Sequence, residues 1–65
     1  MEIEFISLYK LGVGPILIRF SDIILIEPTI YNNTRLELSY GDHIIVCEDI
    51  VCVIKKIHAA QLLNE

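Results

Sequence analysis

The chain has 65 residues, 54% of them hydrophobic, with a formal charge of −4, a sequence pI of about 4.9 and a mean hydropathy of +0.57. That length admits one small domain, residues 1–65, which buries only about 60% of the surface its unfolded chain exposes. Domains of this size usually need a disulfide, a metal or a second copy, so so much apolar content implies tight packing or burial against a neighbour.

The charge balance narrows the partners. Only Lys10, Arg19, Arg35, Lys55 and Lys56 are basic. Phosphate neutralisation supplies most nucleic-acid affinity, so the balance argues against DNA or RNA unless Arg19, Arg35, Lys55 and Lys56 cluster in space. The longest apolar tract, "GVGPILIRFSDIILIEP", is broken by Pro15, Arg19, Asp22 and Glu27. It falls short of the roughly 18 uninterrupted apolar residues of a membrane span. "MEIEF" has no basic segment of the kind that opens a signal peptide, and a cytoplasmic location is expected.

In chain order, "EFISLY" is expected as a first strand, with Ile3 and Phe5 alternating against Glu2 and Glu4. "KLGVGP" is a turn, in which Gly12 and Gly14 permit positive φ and Pro15 fixes φ as the next strand starts. "ILIRF" is a second strand, and Ser21–Asp22 a short corner whose side chains bond nearby backbone. "IILIEP" is a third strand ended by Pro28. Ile23 to Ile26 are apolar at every position, the pattern of a strand covered on both faces. "TIYNN" is a loop, with Asn32 and Asn33 suited to a left-handed turn. "TRLELSY" is a fourth strand with Leu36, Leu38 and Tyr40 on one face and Arg35, Glu37 and Ser39 on the other. Gly41 and Asp42 mark a tight hairpin, and "HIIVC" is a fifth strand.

A helix follows. Glu48 or Asp49 suits its N-cap, and both acids suit the positive end of the dipole. Lys55, Lys56 and His58 are placed in its second half, where cations are favoured. Ile50, Val53, Ile54 and Ile57 follow the i, i+3, i+4, i+7 rule and are expected to face the sheet. Ile and Val lose χ1 freedom in helices, so tertiary packing must hold this one. Val51 and Cys52 lie about 100° and 200° around the helix from Ile50, outside that stripe. Val51 is then either a flank of the core stripe, with Cys52 tolerated, or the two belong to a second apolar face that meets another protein surface.

The candidate chemical groups are sparse. Cys47, Cys52, His43 and His58 do not form a C-x2-C or a four-ligand zinc pattern. A Cys47–Cys52 disulfide would close a very short loop, and two free thiols are expected. His43 and His58 read as surface histidines. No G-x-S-x-G is present. "GVGP" lacks the G-K-[ST] ending of a phosphate loop and opens a strand instead of a helix. Glu27, Glu37, Asp42, Glu48 and Asp49 are scattered over turns and outward faces. Tyr9, Tyr31 and Tyr40 do not form an RNA-binding aromatic motif. Tyr31 is either packed within its loop or an interface anchor. No catalytic, cofactor-binding or metal-ligating set emerges.

The tract from "FISLYKLGVGP" to "VCVIKKI", residues 5–57, resembles the small FlbD family, also called SwrD, linked to flagella and swarming. The likeness rests on Leu11-Gly12 or the following Gly14, on the Ile23 to Glu27 element, on Thr34, Leu36, Leu38 and Gly41, and on Val53, Ile54 and Ile57. This chain differs where the family pattern usually has charge after the helix start, here Val51 and Cys52, and where it often has Lys before the helix, here Cys47. Each change makes the surface more apolar. The segments "DIILIE", "NNTRLEL" and "GDHIIV" are also similar to the core of the LytTR DNA-binding domain, which is longer and more basic. Neither resemblance implies catalytic residues.

These readings converge on an α+β module. Its sheet is twisted, mainly antiparallel and built from four or five short strands, either open or curled towards a small barrel, with one C-terminal helix. The expected role is non-enzymatic protein interaction, self-association included, through apolar surface of strand three and the helix flank: Ile24, Ile26, Tyr31, Val51 and Cys52. A compact acidic inhibitor from a phage or mobile element, binding a host protein, and a regulatory nucleic-acid-binding module are the alternatives.

Overall fold

The structure, a computed structural model, describes residues 4–63. Five strands, β1 (Phe5–Lys10), β2 (Gly14–Arg19), β3 (Ile23–Pro28), β4 (Thr34–Leu38) and β5 (His43–Val46), precede one helix, α1 (Ile50–Leu63). They form a single antiparallel sheet in the order β2-β1-β5-β4-β3. The fold is the expected α+β arrangement. The sheet is not closed into a barrel, because β2 and β3 remain its two edges, joined in sequence by a 3₁₀ turn at Phe20–Asp22.

Three-residue loops set the registers. In β1–β2 the Val13 N–H donates to the Lys10 carbonyl at 3.1 Å, and Gly12 has φ +78°. That is a type II turn, which demands a left-handed third residue. In β3–β4 the Asn32 N–H donates to Thr29 O, and in β4–β5 the Gly41 N–H donates to Leu38 O. Each places its left-handed residue third in the loop: Asn32 with φ 62° and Gly41 with φ 92°. This is the type I turn plus left-handed residue of three-residue hairpins.

The core lies between one sheet face and α1. Ile6 and Leu8 of β1, Ile18 of β2, Leu36 and Leu38 of β4, Val46 of β5, and Val53 and Ala60 of α1 are buried. Ile16, Phe20, Ile23, Ile26, Ile44 and Ile57 pack around them. Thr34 is the buried polar residue, and its hydroxyl donates to the Glu48 carbonyl at 2.8 Å, satisfying both groups just before α1. Asp49 caps the helix: its Oδ1 accepts from the Cys52 N–H at 2.8 Å.

Several expectations are corrected. In β1 the inward residues are Ile6 and Leu8, so Phe5 faces out; Ile3 lies outside the described residues. Sequence alternation is ambiguous there, because Phe5, Ile6, Leu8 and Tyr9 are all large and the pairing with β2 decides the face. Phe20 leaves β2 for the 3₁₀ turn, and Tyr40 belongs to the turn after β4. On α1 the buried stripe is Val53, Ala60 and half-buried Ile50 and Ile57, while Ile54 is half exposed. The helix runs on to Leu63, so Lys55, Lys56 and His58 are mid-helical, and its last turn has no cation at the dipole's negative end.

β3 is the largest correction: it is not covered on both faces. Ile23 pairs with Leu38 and Ile26 with Leu36, both facing the core, while Leu25 pairs with Glu37 on the outer face. The register shift between Ile23 and Leu25 makes Ile24 the extra residue of a bulge. A run of four apolar residues therefore splits into two inward and two outward, with Ile24 65% exposed.

Candidate interaction surfaces

The sheet divides into a β1–β2 hairpin and a β3–β4–β5 meander. Their seam is thin: β1 pairs β5 only at Lys10–Val46. That pair is held by two backbone bonds, Leu11 N–H to Ile45 O at 2.9 Å and Cys47 N–H to Tyr9 O at 2.7 Å. Beyond them side chains take over. The Tyr9 N–H donates to both Glu48 carboxylate oxygens at 3.1 Å, and Lys56 Nζ donates to the Ser7 carbonyl at 2.6 Å. Lys56 also approaches Glu48 Oε2 at 3.5 Å. Glu48 and Lys56 thus satisfy β1 backbone groups where β5 has ended, and they tie α1 to the hairpin.

Val51 and Cys52 share a surface. With Asp49, Lys55, Lys56 and Ala59 they line an open concavity of about 440 Å³ along the first half of α1. Val51 is 56% exposed and Cys52 is half-buried. A second concavity of about 270 Å³ adjoins it through Lys56 and Ala59, lined also by Phe5, Ile6, Ser7, Ala60 and Leu63. The two form a trough beside α1 in which Val51, Cys52, Ala59 and Leu63 are interleaved with Asp49, Lys55 and Lys56, and Lys56 lines both parts.

The β3 candidates fall elsewhere. Ile24 projects from the sheet face opposite the core, whereas Ile26 packs against the core. The outward partner of Ile24 is Leu25, which sequence reading did not single out. Tyr31 is the middle residue of the Thr29–Asn33 loop. Its N–H donates to Thr29 Oγ1 at 3.1 Å, while its ring stands 80% exposed and packs on little of the loop. Thr29 Oγ1 also bonds Asn33 Oδ1 across the loop base. Ile24 and the helix flank therefore lie on different sides of the sheet and present two separate surfaces.

The outer face of the meander is charged. Arg35 donates to Glu27 at 2.9 Å and to Glu37 at 3.3 Å. Arg35 and Lys56 thus have carboxylate partners, which leaves Lys10, Arg19 and Lys55 as the cations without an ion pair among the described residues. Arg19 lies over the Phe5 ring, 5.7 Å from its centroid. Cys47 and Cys52 are free thiols. Among the described residues no three His, Cys, Asp or Glu side chains are placed to hold a metal ion, and no helix is long and apolar enough to cross a membrane.

The hairpin's outer face escaped sequence reading. Leu17, Val13, Tyr9 and Leu11 are exposed there with Phe5. The available signal was the reversed phase of β1: once Ile6 and Leu8 are inward, Phe5, Tyr9 and Leu17 must be outward.

Comparison with protein-family models, with curated proteins and with solved structures finds no match for this chain.

Proposed function

We propose that the protein is a non-enzymatic contact module that works by presenting apolar surface to other protein surfaces, copies of itself included. The contact sites are the α1 flank at Val51 and Cys52 and the outward residues of β3, Ile24 with Leu25. Tyr31 at the loop tip is a further anchor. The observation that supports this reading best is the trough beside α1. There Val51 and Cys52, apolar where a surface helix is normally polar, line one concavity with Ala59, and Ala60 and Leu63 continue it. Burial of such surface contributes roughly 25 cal/mol per Å² before the costs of association. Ala59 matters because a small side chain lets a partner approach the helix backbone closely.

Val51→Glu tests the helix flank. The substitution lies on an exposed position, so the fold should survive, and assembly measured by light scattering should weaken at least tenfold in apparent affinity. Ile24→Lys makes the matching test on β3. If both variants assemble as the parent chain does, the two proposed contact sites are wrong.

A further inference from the structure

Among the described residues β2 is an edge strand with no second neighbour, and the backbone groups it turns to that side form a set that matches a second copy of itself. The Phe20 N–H donates to the Glu4 carbonyl at 3.0 Å, so residues 4 and 20 are a hydrogen-bonded pair. Antiparallel ladders alternate, and 6/18, 8/16 and 10/14 are then the bonded pairs within the hairpin register. The odd residues of β1 turn their backbone groups the other way, and the structure bears this out: Ser7 O, Tyr9 N–H and Tyr9 O find Lys56, Glu48 and Cys47 on the far side. By the same rule Pro15, Leu17 and Arg19 of β2 turn theirs to the open edge.

That edge has a short inventory. Pro15 has no N–H and offers only its carbonyl. Leu17 offers both groups. Arg19 offers its N–H, because the 3₁₀ turn that follows starts on the Arg19 carbonyl. The edge thus holds two donors and two acceptors. We infer that β2 docks antiparallel onto β2 of a second copy, with the two-fold axis at Leu17. In that register Leu17 pairs with its own copy and exchanges two bonds. Each Arg19 N–H meets the carbonyl of the other copy's Pro15, which adds two more. The missing proline donor falls opposite the occupied Arg19 carbonyl, so no backbone group on the shared edge is left unmet. Sliding by one step in either direction leaves two bonds, as Leu17 then faces a proline without a donor or a carbonyl already in use.

Side chains agree with this occupant, and the register limits the contact between like charges. Across the seam the outer face sets Leu17 beside its copy, and the inner face sets Ile16 beside Ile18. Residues 5–19 hold two of the chain's basic residues and no acid, although the chain carries −4. Docking by the hairpin keeps the acidic meanders apart, and this register places each Arg19 against Pro15 instead of the other Arg19. The pairing is isologous, so it closes at two copies. It adds a surface that the contact role of the α1 flank and β3 does not use.

The test is light scattering across a dilution series of the full chain, with amide hydrogen exchange at the same concentrations. The expected result is association that begins with a dimer, to which contacts of the helix flank and β3 add at higher concentration, with Leu17 and Arg19 amides gaining protection as concentration rises. Leu17→Lys opposes two ammonium groups at the axis and should raise the dissociation constant at least tenfold. Leu17 is 72% exposed, so the fold should persist by circular dichroism. Arg19→Gln keeps every backbone group and should preserve the dimer. A concentration-independent monomer, an assembly larger than two that Leu17→Lys leaves intact, or Leu17 and Arg19 amides that exchange equally fast at every concentration would each overturn the assignment. Loss of assembly in Val51→Glu with none in Leu17→Lys would support the helix flank and overturn the β2 dimer, so the two readings fail separately.

Discussion

β2 and β3 are both edge strands of six residues, with a proline second in β2 and last in β3, yet they treat the edge differently. β3 carries a bulge at Ile24, and its outer face leads into the Glu27–Arg35–Glu37 ion group. Bulges and charges both discourage an edge from adding another strand. β2 keeps an unbroken register against β1 from Gly14 to Arg19, and its outer face holds exposed Leu17 with a single charge, Arg19, set over Phe5. The two prolines also differ in what they remove. Pro28 caps the far end of a strand that the bulge has already distorted. Pro15 removes one donor from a regular edge and so selects a register. A guarded edge and an open one in the same small sheet fit the proposed division, in which contact by pairing belongs to the hairpin and β3 offers only apolar side chains.

The comparison breaks if hairpin and meander do not fold as one unit. Both halves donate to a common core, Leu8 from β1 and Leu36 from β4, each essentially inaccessible to solvent. Leu8→Ala and Leu36→Ala should each cost about 2–5 kcal/mol, the largest effects expected. In urea each variant should still unfold in one transition shifted to lower denaturant. Two separated transitions in either variant would show that the halves have independent cores.

A smaller effect probes the seam. Glu48 binds the Tyr9 N–H with both oxygens and approaches Lys56, and its side chain is only 17% exposed. Glu48→Ala removes the carboxylate and leaves the Glu48 carbonyl available to Thr34. The expected loss is about 1.5–3 kcal/mol, the range for hydrogen bonds to a charged group. Faster exchange at Tyr9 should accompany it, with little change at Leu36. Unchanged Tyr9 exchange would mean that the few β1–β5 bonds hold the seam without Glu48.

Much of this architecture is legible in the residues. The limits of β3 at Ile23 and Pro28, the left-handed Asn32, the Gly41 hairpin and the Asp49 cap all follow from local chemistry. So does the placing of Val51 off the core stripe. What failed was phase. Phe5 and Ile6 are adjacent large apolar residues, and only the register with Ile18 and Arg19 says which is inward. Ile23 to Ile26 read as a strand covered twice because a bulge leaves no mark in four consecutive aliphatic residues. Ile54 obeys the helical spacing, yet it is Ala60 and not Ile54 that joins Val53 in the core where α1 meets β1 and β3. The free edge of β2 was illegible for another reason: strand order is a property of the whole chain, and no window of β2 records that its second neighbour is missing.

The smallest expected effect separates the two outer faces by their response to salt. Arg35 is paired with two carboxylates that are themselves largely exposed, with side-chain accessibilities of 48% and 42% against 29% for Arg35. Solvent screening reduces such pairs to below about 1 kcal/mol. Arg35→Gln should therefore lower stability by only a few tenths of a kcal/mol to about 1 kcal/mol at low salt, and the difference should shrink towards zero near 1 M salt, where the Debye length falls to about 3 Å. Arg19→Gln loses contact with a ring, not with an anion, and its cost of about 0.5–1 kcal/mol should survive the same salt. If both costs vanish together, Arg19 acts through charge alone and the hairpin face is less apolar in character than its residues imply. If only the Arg35 cost vanishes, the meander's outer face is held by screened ion pairs and the hairpin's by packing, which is the distinction that leaves β2, not β3, open to a second copy.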